Sequence, residues 1–104
     1  MTTWRRCYWD EEDTWFYFEV DAEAWVTRQI ELQGPASTPI AAASLSEWQQ
    51  AQDAGRLDEY DKRFGITAEL PVSEWEGHDP EELSSDQFEE VWDSARQQII
   101  ARPS

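Results

Sequence analysis

Apolar and polar positions alternate most clearly between Thr14 and Leu32. In Thr14–Val20, TWFYFEV, the residues Phe16, Phe18 and Val20 recur at every second position and share one face of a strand. A second strand, Trp25–Leu32, places Val26, Ile30 and Leu32 on one face together with Arg28. Trp4–Trp9 is a third, short strand whose aromatics suit a pleated surface. Asp10-Glu11-Glu12-Asp13 is too densely charged for anything but a turn, and Gly34-Pro35 ends the last strand. The three strands make an antiparallel meander. A three-residue loop, Ala22 to Ala24, opposes Phe18 to Arg28 and Phe16 to Ile30. A two- or four-residue loop opposes Phe18 to Thr27 and mixes the faces. Since a one-residue slip flips every side chain, the odd loop or a bulge is expected. Trp15, Tyr17 and Trp25 then share the other face with Glu19, Thr27, Gln29 and Glu31.

The period changes after Gly34. Gly34–Ala43, rich in Pro, Ser and Ala, reads as a loop. Ser44 and Glu47 have capping-box spacing, and Leu45, Trp48 and Ala51 follow one helical face up to Gly55. Leu57–Phe64 is a second short helix, burying Leu57, Tyr60 and Phe64 and stopped by Gly65. Ile66–Val72 looks extended, with Pro71 confining it to an edge or loop, and Ser73–Leu83 is an acidic connection. Ser84 and Gln87 form another capping box, with Leu83 placed to staple onto Phe88. Phe88, Val91, Trp92, Ala95 and Ile99 follow in one helical stripe, with Asp86, Glu89, Glu90 and Asp93 opposite. The expected architecture is α+β in a single domain, 1–104: an antiparallel three- to four-stranded meander with two or three helices packed on one face. The C-terminal helix is expected to cover Phe16 and Phe18.

Charge narrows the partners. The chain of 104 residues has 23 acids against eight bases, net −15. That argues against direct contact with nucleic acid or an anionic membrane and favours a basic protein partner. Fourteen aromatics, seven of them Trp, argue against disorder, and a chain this long buries roughly 65% of its unfolded surface. Cys7 is the only cysteine, so no internal disulfide forms, which fits a reducing cytoplasm. The start, MTTWRRCYW, lacks the apolar run of a signal peptide, and no stretch approaches the roughly 20 apolar residues of a membrane span.

No catalytic residue, metal site or cofactor is expected, and the reading is of a non-enzyme. The lone His78 sits in Gly77-His78-Asp79-Pro80, where a surface or capping role is more ordinary than a catalytic base. One His and one Cys rule out a His-rich zinc site. Asp10–Asp13 lacks the spacing of a calcium loop, the four glycines cradle no phosphate, and carboxylate pairs are inevitable among 23 acids.

Two features carry a functional reading. The first is the Trp15, Tyr17 and Trp25 face, a set of partner anchors if open, or core if the N-terminal Trp residues or the segment containing Trp75 cover it. The second is the acidic C-terminal third: Glu69 to Asp93 contains ten acids and no Lys or Arg. Asp86, Glu89, Glu90 and Asp93 span about 10 Å of helix, roughly one charge per 3 Å, within a factor of two of duplex DNA. The ordinary alternative is a solvated face whose acids meet the helix dipole.

Trp15–Glu19, Asp21, Arg28–Glu31 and Ser85-x-x-Phe88-Glu89-x-x-Trp92 resemble a family of small, uncharacterised bacterial domains. The family layout is a β-meander with an Arg-x-Ile/Val-Glu strand and a closing Phe-Glu-x-x-Trp helix. Its members look like immunity proteins, small acidic inhibitors of a cognate toxin. The resemblance spans most of residues 4–100, and the Ala36–Gly65 insert departs from the compact layout. It implies an immunity or antitoxin-type inhibitor of a basic partner but assigns no residue its role; the residues themselves nominate Trp15, Tyr17 and Trp25 as anchors and Asp86, Glu89, Glu90 and Asp93 as the charged complement. The alternatives are a DNA mimic that blocks a DNA-binding protein, and a small regulatory subunit or enzyme of unknown substrate. Oligomeric state stays open.

Overall fold

The computed structural model describes residues 2–23, 25–65 and 81–101. Eight elements follow in order: β1 (Thr3–Trp9), β2 (Thr14–Val20), β3 (Val26–Gln33), β4 (Thr38–Ser44), α1 (Leu45–Asp53), α2 (Leu57–Phe64), β5 (Glu81–Leu83) and α3 (Ser85–Ala101). The class is α+β, with five strands rather than three or four, ordered β4-β3-β2-β1-β5 and antiparallel throughout. The predicted extended stretch Ile66–Val72, most of the acidic connection, and His78 and Trp75 lie outside the described residues.

The β2–β3 register corrects the expected one. Val20 faces Val26, as a three-residue loop requires, but Glu19 faces Arg28, Phe18 faces Gln29, Tyr17 faces Ile30 and Phe16 faces Glu31. Thr27 is the extra residue of a bulge at that shift, and its hydroxyl donates to the Glu19 carboxylate at 2.9 Å. Asp21 fixes the turn, its Oδ1 accepting from the amides of Glu23 and Trp25. The bulge splits the apolar set of β3. Val26 goes to the face of Phe16, Phe18, Val20 and Cys7, while Ile30 and Leu32 go to the face of Tyr17 and Trp15.

Both faces are buried, and α3 covers the one not expected. Phe88, Ala95 and Ile99 of α3 pack on Tyr17, Ile30 and Ala42, with Val91, Trp92, Leu83, Trp4, Trp15 and Phe64 around them. The described members of the Phe16/Phe18 cluster all come from strands, with Trp9 beside it. Within that cluster Cys7 is 1% exposed, and burial raises its thiol pKa to about 11, which makes it an inert packing group.

Glu31 lies on this same buried face and is held above the ordinary carboxylate range by desolvation, partly offset by a hydrogen bond from Gln29. A folded-state pKa above the unfolded value, about 4.3, means that Glu31 favours folding below that pH. The contribution is lost as pH rises through its folded titration. Glu31→Gln is therefore expected to raise the urea midpoint at pH 7 and to leave it unchanged near about pH 3.5. A lower midpoint at neutral pH would refute the desolvation argument.

The helix starts show which cap signals are used. At α3 the box closes: the Ser84 amide donates to Gln87 Oε1 at 2.9 Å and the Gln87 amide to Ser84 Oγ at 3.2 Å. Ser84→Ala should cost about 1 kcal/mol in urea unfolding. At α1 the box does not close, because Ser44 makes no side-chain cap bond and Glu47 turns to Arg96 and Tyr60 instead. Gly65 ends α2 with φ +85°, and a Cβ there would stand 2.9 Å from the Ala41 Cβ, so only glycine fits without movement.

Candidate functional site

Helix α3 organises the candidate site because each side of it does something different. With 3.6 residues per turn, Phe88, Val91, Trp92, Ala95 and Ile99 point at the sheet. One flank carries Glu89 and Arg96, the other Gln87, Ser94 and Gln98, and the outward stripe carries Asp86, Glu90 and Asp93.

The Glu89/Arg96 flank is a clamp. Arg28 of β3 reaches up between Glu19 and Glu89, donating through Nε to Glu19 Oε1 at 3.0 Å and through its terminal nitrogens to both carboxylates. Trp4 Nε1 donates to the same Glu19 at 3.0 Å. Burial raises the Glu19 pKa, but the hydrogen bonds from Arg28, Trp4 and Thr27 outweigh it and leave the group below the ordinary range. The Arg28 guanidinium lies 5.0 Å from the ring centres of both Phe88 and Trp92. Arg96 sits 4.4 Å from the Trp92 ring, so Trp92 is in contact with two cations. Arg96 also pairs with Glu47, lies 4.0 Å from the Phe64 ring, and donates through Nε to the Ala42 carbonyl at 2.8 Å. Tyr60 completes the group: its hydroxyl donates to Glu47 at 2.9 Å and accepts from the Ser44 amide at 2.8 Å, and desolvation raises its pKa to about 12.

These contacts sort the anticipated site residues. Tyr17 is 8% exposed beneath α3, Trp15 is half-buried, and Trp25 is 41% exposed at the β2–β3 hairpin. Trp15 meets Tyr8 in a tilted pair, ring centres 5.2 Å apart, and lies under the Arg6 guanidinium at 4.9 Å. The three aromatics therefore do not form one open face. The bulge at Thr27 turned that face toward α3, and of the three only Trp25 is exposed. Glu89 likewise leaves the acidic set, because it is the helix-side partner of Arg28. Asp86, Glu90 and Asp93 remain exposed, and among the described residues they make no ion pair.

The bases move the other way. Arg28 and Arg96 are drawn inward, Arg6 is engaged by Glu81 at 2.9 Å, and the exposed Arg56, Lys62 and Arg63 gather around α2. Sequence reading placed Arg28 on the apolar face of its strand but missed the inward role of Arg96 and the carboxylates that each arginine meets. The signal was present for Arg96, which falls beside Trp92 on the helical wheel rather than on the acidic stripe.

Beside Glu90 runs a groove of about 360 Å³ between α3 and the β3–β4 turn, floored by Leu32, Pro39, Val91 and Ala95. A second cleft of about 430 Å³ between α1 and α2 is lined by Glu47 and Glu59 together with Arg56, Arg63 and Arg96. Among the described residues no group of three or more Asp, Glu, Cys or His side chains converges as metal ligands, and no helix is long and apolar enough to cross a membrane. Compared with family models, with curated proteins and with solved structures, the chain matches none.

Proposed function

We propose that this protein is a non-catalytic, acidic protein-binding module that inhibits a basic partner, in the manner of an immunity protein or antitoxin. One observation supports the reading above the others: the fold uses Arg6, Arg28 and Arg96 in ion pairs while Asp86, Glu90 and Asp93 stand exposed on one stripe of α3 with no ion pair among the described residues. Such a stripe speeds encounter with a cationic groove and holds it in register. Trp25, exposed at the hairpin, is the remaining aromatic anchor. With Glu89 turned inward, the outward stripe carries three charges rather than four, which weakens the DNA-mimic alternative.

The test compares the wild type with the triple variant Asp86→Asn/Glu90→Gln/Asp93→Asn. Each is tagged and used for capture from nuclease-treated extract of the source cell. A single stoichiometric basic protein that is lost with the variant, and whose association slows with salt, is the expected result. No such partner, or equal capture by the folded variant, would overturn the reading.

A further inference from the structure

Resting on the proposed protein-binding role, we propose that the groove between α3 and the β3–β4 turn is the seat of one arginine side chain of the partner. Its floor is apolar, made by Leu32, Pro39, Val91 and Ala95, while Glu90 stands at its lip and Ser37, Ser94 and Gln98 supply neutral polar edges. Among the described residues no lysine or arginine lines it. A long basic side chain has this same division, an apolar stem and a charged head. The stem lies along Val91 and Leu32, and the planar guanidinium meets the Glu90 carboxylate, a geometry that favours two parallel hydrogen bonds. Asp86 and Asp93, exposed on the adjoining stripe, add to the attraction without entering the groove. The α1–α2 cleft offers no such preference. It carries both signs, and its Arg96 is already held by Glu47 and the Ala42 carbonyl.

The experiment is a titration of the ¹⁵N-labelled full chain, followed through its amide resonances. The probe is Nα-acetyl-arginine N-methylamide, with the norleucine analogue (stem without charge) and guanidinium chloride (charge without stem) as companions. The arginine probe is expected to give saturable shifts at Ala36, Ser37, Val91, Ser94, Ala95 and Gln98, and neither companion should reproduce them. Glu90→Gln should weaken binding about tenfold, as loss of one charge-assisted hydrogen bond does. Ser94→Phe, which fills the groove from an exposed position, should abolish it, with the dispersion of the spectrum confirming the fold. Shifts that follow guanidinium alone and spread equally to Asp10–Asp13 and Asp58–Glu59 would overturn the proposal, as would a non-saturable response. Ser94→Phe leaves the acidic stripe intact and the capture experiment tests the stripe, so the groove and the broader reading can fail separately.

Discussion

Replacing Arg28 with methionine is expected to destabilise the protein by about 2–4 kcal/mol, a large share of the roughly 5–15 kcal/mol that holds a domain of this size folded. The side chain of Glu19 is only 16% exposed, and without Arg28 it keeps Trp4 and Thr27 as donors but no counter-charge. Removing one partner of a buried pair is costly because the other charge stays behind; exposure of Glu89, 45%, lets that partner escape to water and sets the lower end of the range. The contacts of the guanidinium with Phe88 and Trp92 are lost as well. Urea unfolding followed by tryptophan fluorescence measures the change. A shift below about 0.5 kcal/mol, typical of a surface substitution, would show the clamp to be ornamental. The double variant Glu19→Leu/Arg28→Met should recover part of the loss, since an apolar pair needs no counter-charge.

Acid separates the clamp from simple packing. Glu19 and Glu47 both titrate below the ordinary carboxylate range: burial opposes ionisation in each, and hydrogen bonds from arginine prevail. The stability they contribute is present above the unfolded pKa of about 4.3 and is lost as pH falls through the depressed folded values. Wild-type stability should therefore fall below about pH 4. The gap between wild type and Arg28→Met should narrow over the same range, because protonation removes the stranded charge.

Phe88→Ala is expected to cost about 3–5 kcal/mol. Phe88 is fully buried, at 0% exposure, and stacks near Trp92 with ring centres 6.4 Å apart over Tyr17, Ile30 and Ala42. It is the first apolar residue of α3 and belongs to the cluster against which Leu83 packs, so its truncation leaves a cavity where the helix first meets the sheet. At about 4–8 °C per kcal/mol for a domain of this length, the melting temperature should drop by more than about 10 °C. Trp25→Ala, at a 41% exposed site, should cost far less. Comparable losses from the two variants would contradict this placement of the core.

Periodicity and caps made most elements legible. β2 and α2 occupy the expected residues, β1 and β3 differ by a residue or so at their ends, and α3 begins at its capping box. β4 escaped notice because Thr38–Ser44, TPIAAAS, has neither branched aliphatics in number nor aromatics. It forms because it pairs with β3, and Ala41, Ala42 and Ala43, 4% exposed or less, are small enough to admit Gly65 on one side and α3 on the other. β5 is three residues long, two of them acids, and its pairing with β1 is supported by the Arg6–Glu81 contact, which no local pattern announces. The exchange of faces came from Thr27. An odd loop or a bulge is expected, but nothing in the pattern places the bulge at Thr27, which decides that Tyr17 is core and that Arg28 meets Glu89. The acidic stripe was legible except for Glu89, which the pattern groups with the outward acids but which sits at the margin of the helical wheel and pairs with Arg28.

The contacts of Arg96 and Tyr60 with β4 have a consequence beyond the folded molecule. Among the described strands β4 is an outer one, and outer strands are where chains add to one another and begin to aggregate. Here the Ala42 carbonyl and the Ser44 amide are already occupied by the guanidinium and the phenol. These two side chains act as a lateral stop, leaving an incoming strand fewer backbone groups to join. Whatever surface this protein offers a partner, that stretch of the sheet edge is a poorer template for unregulated assembly.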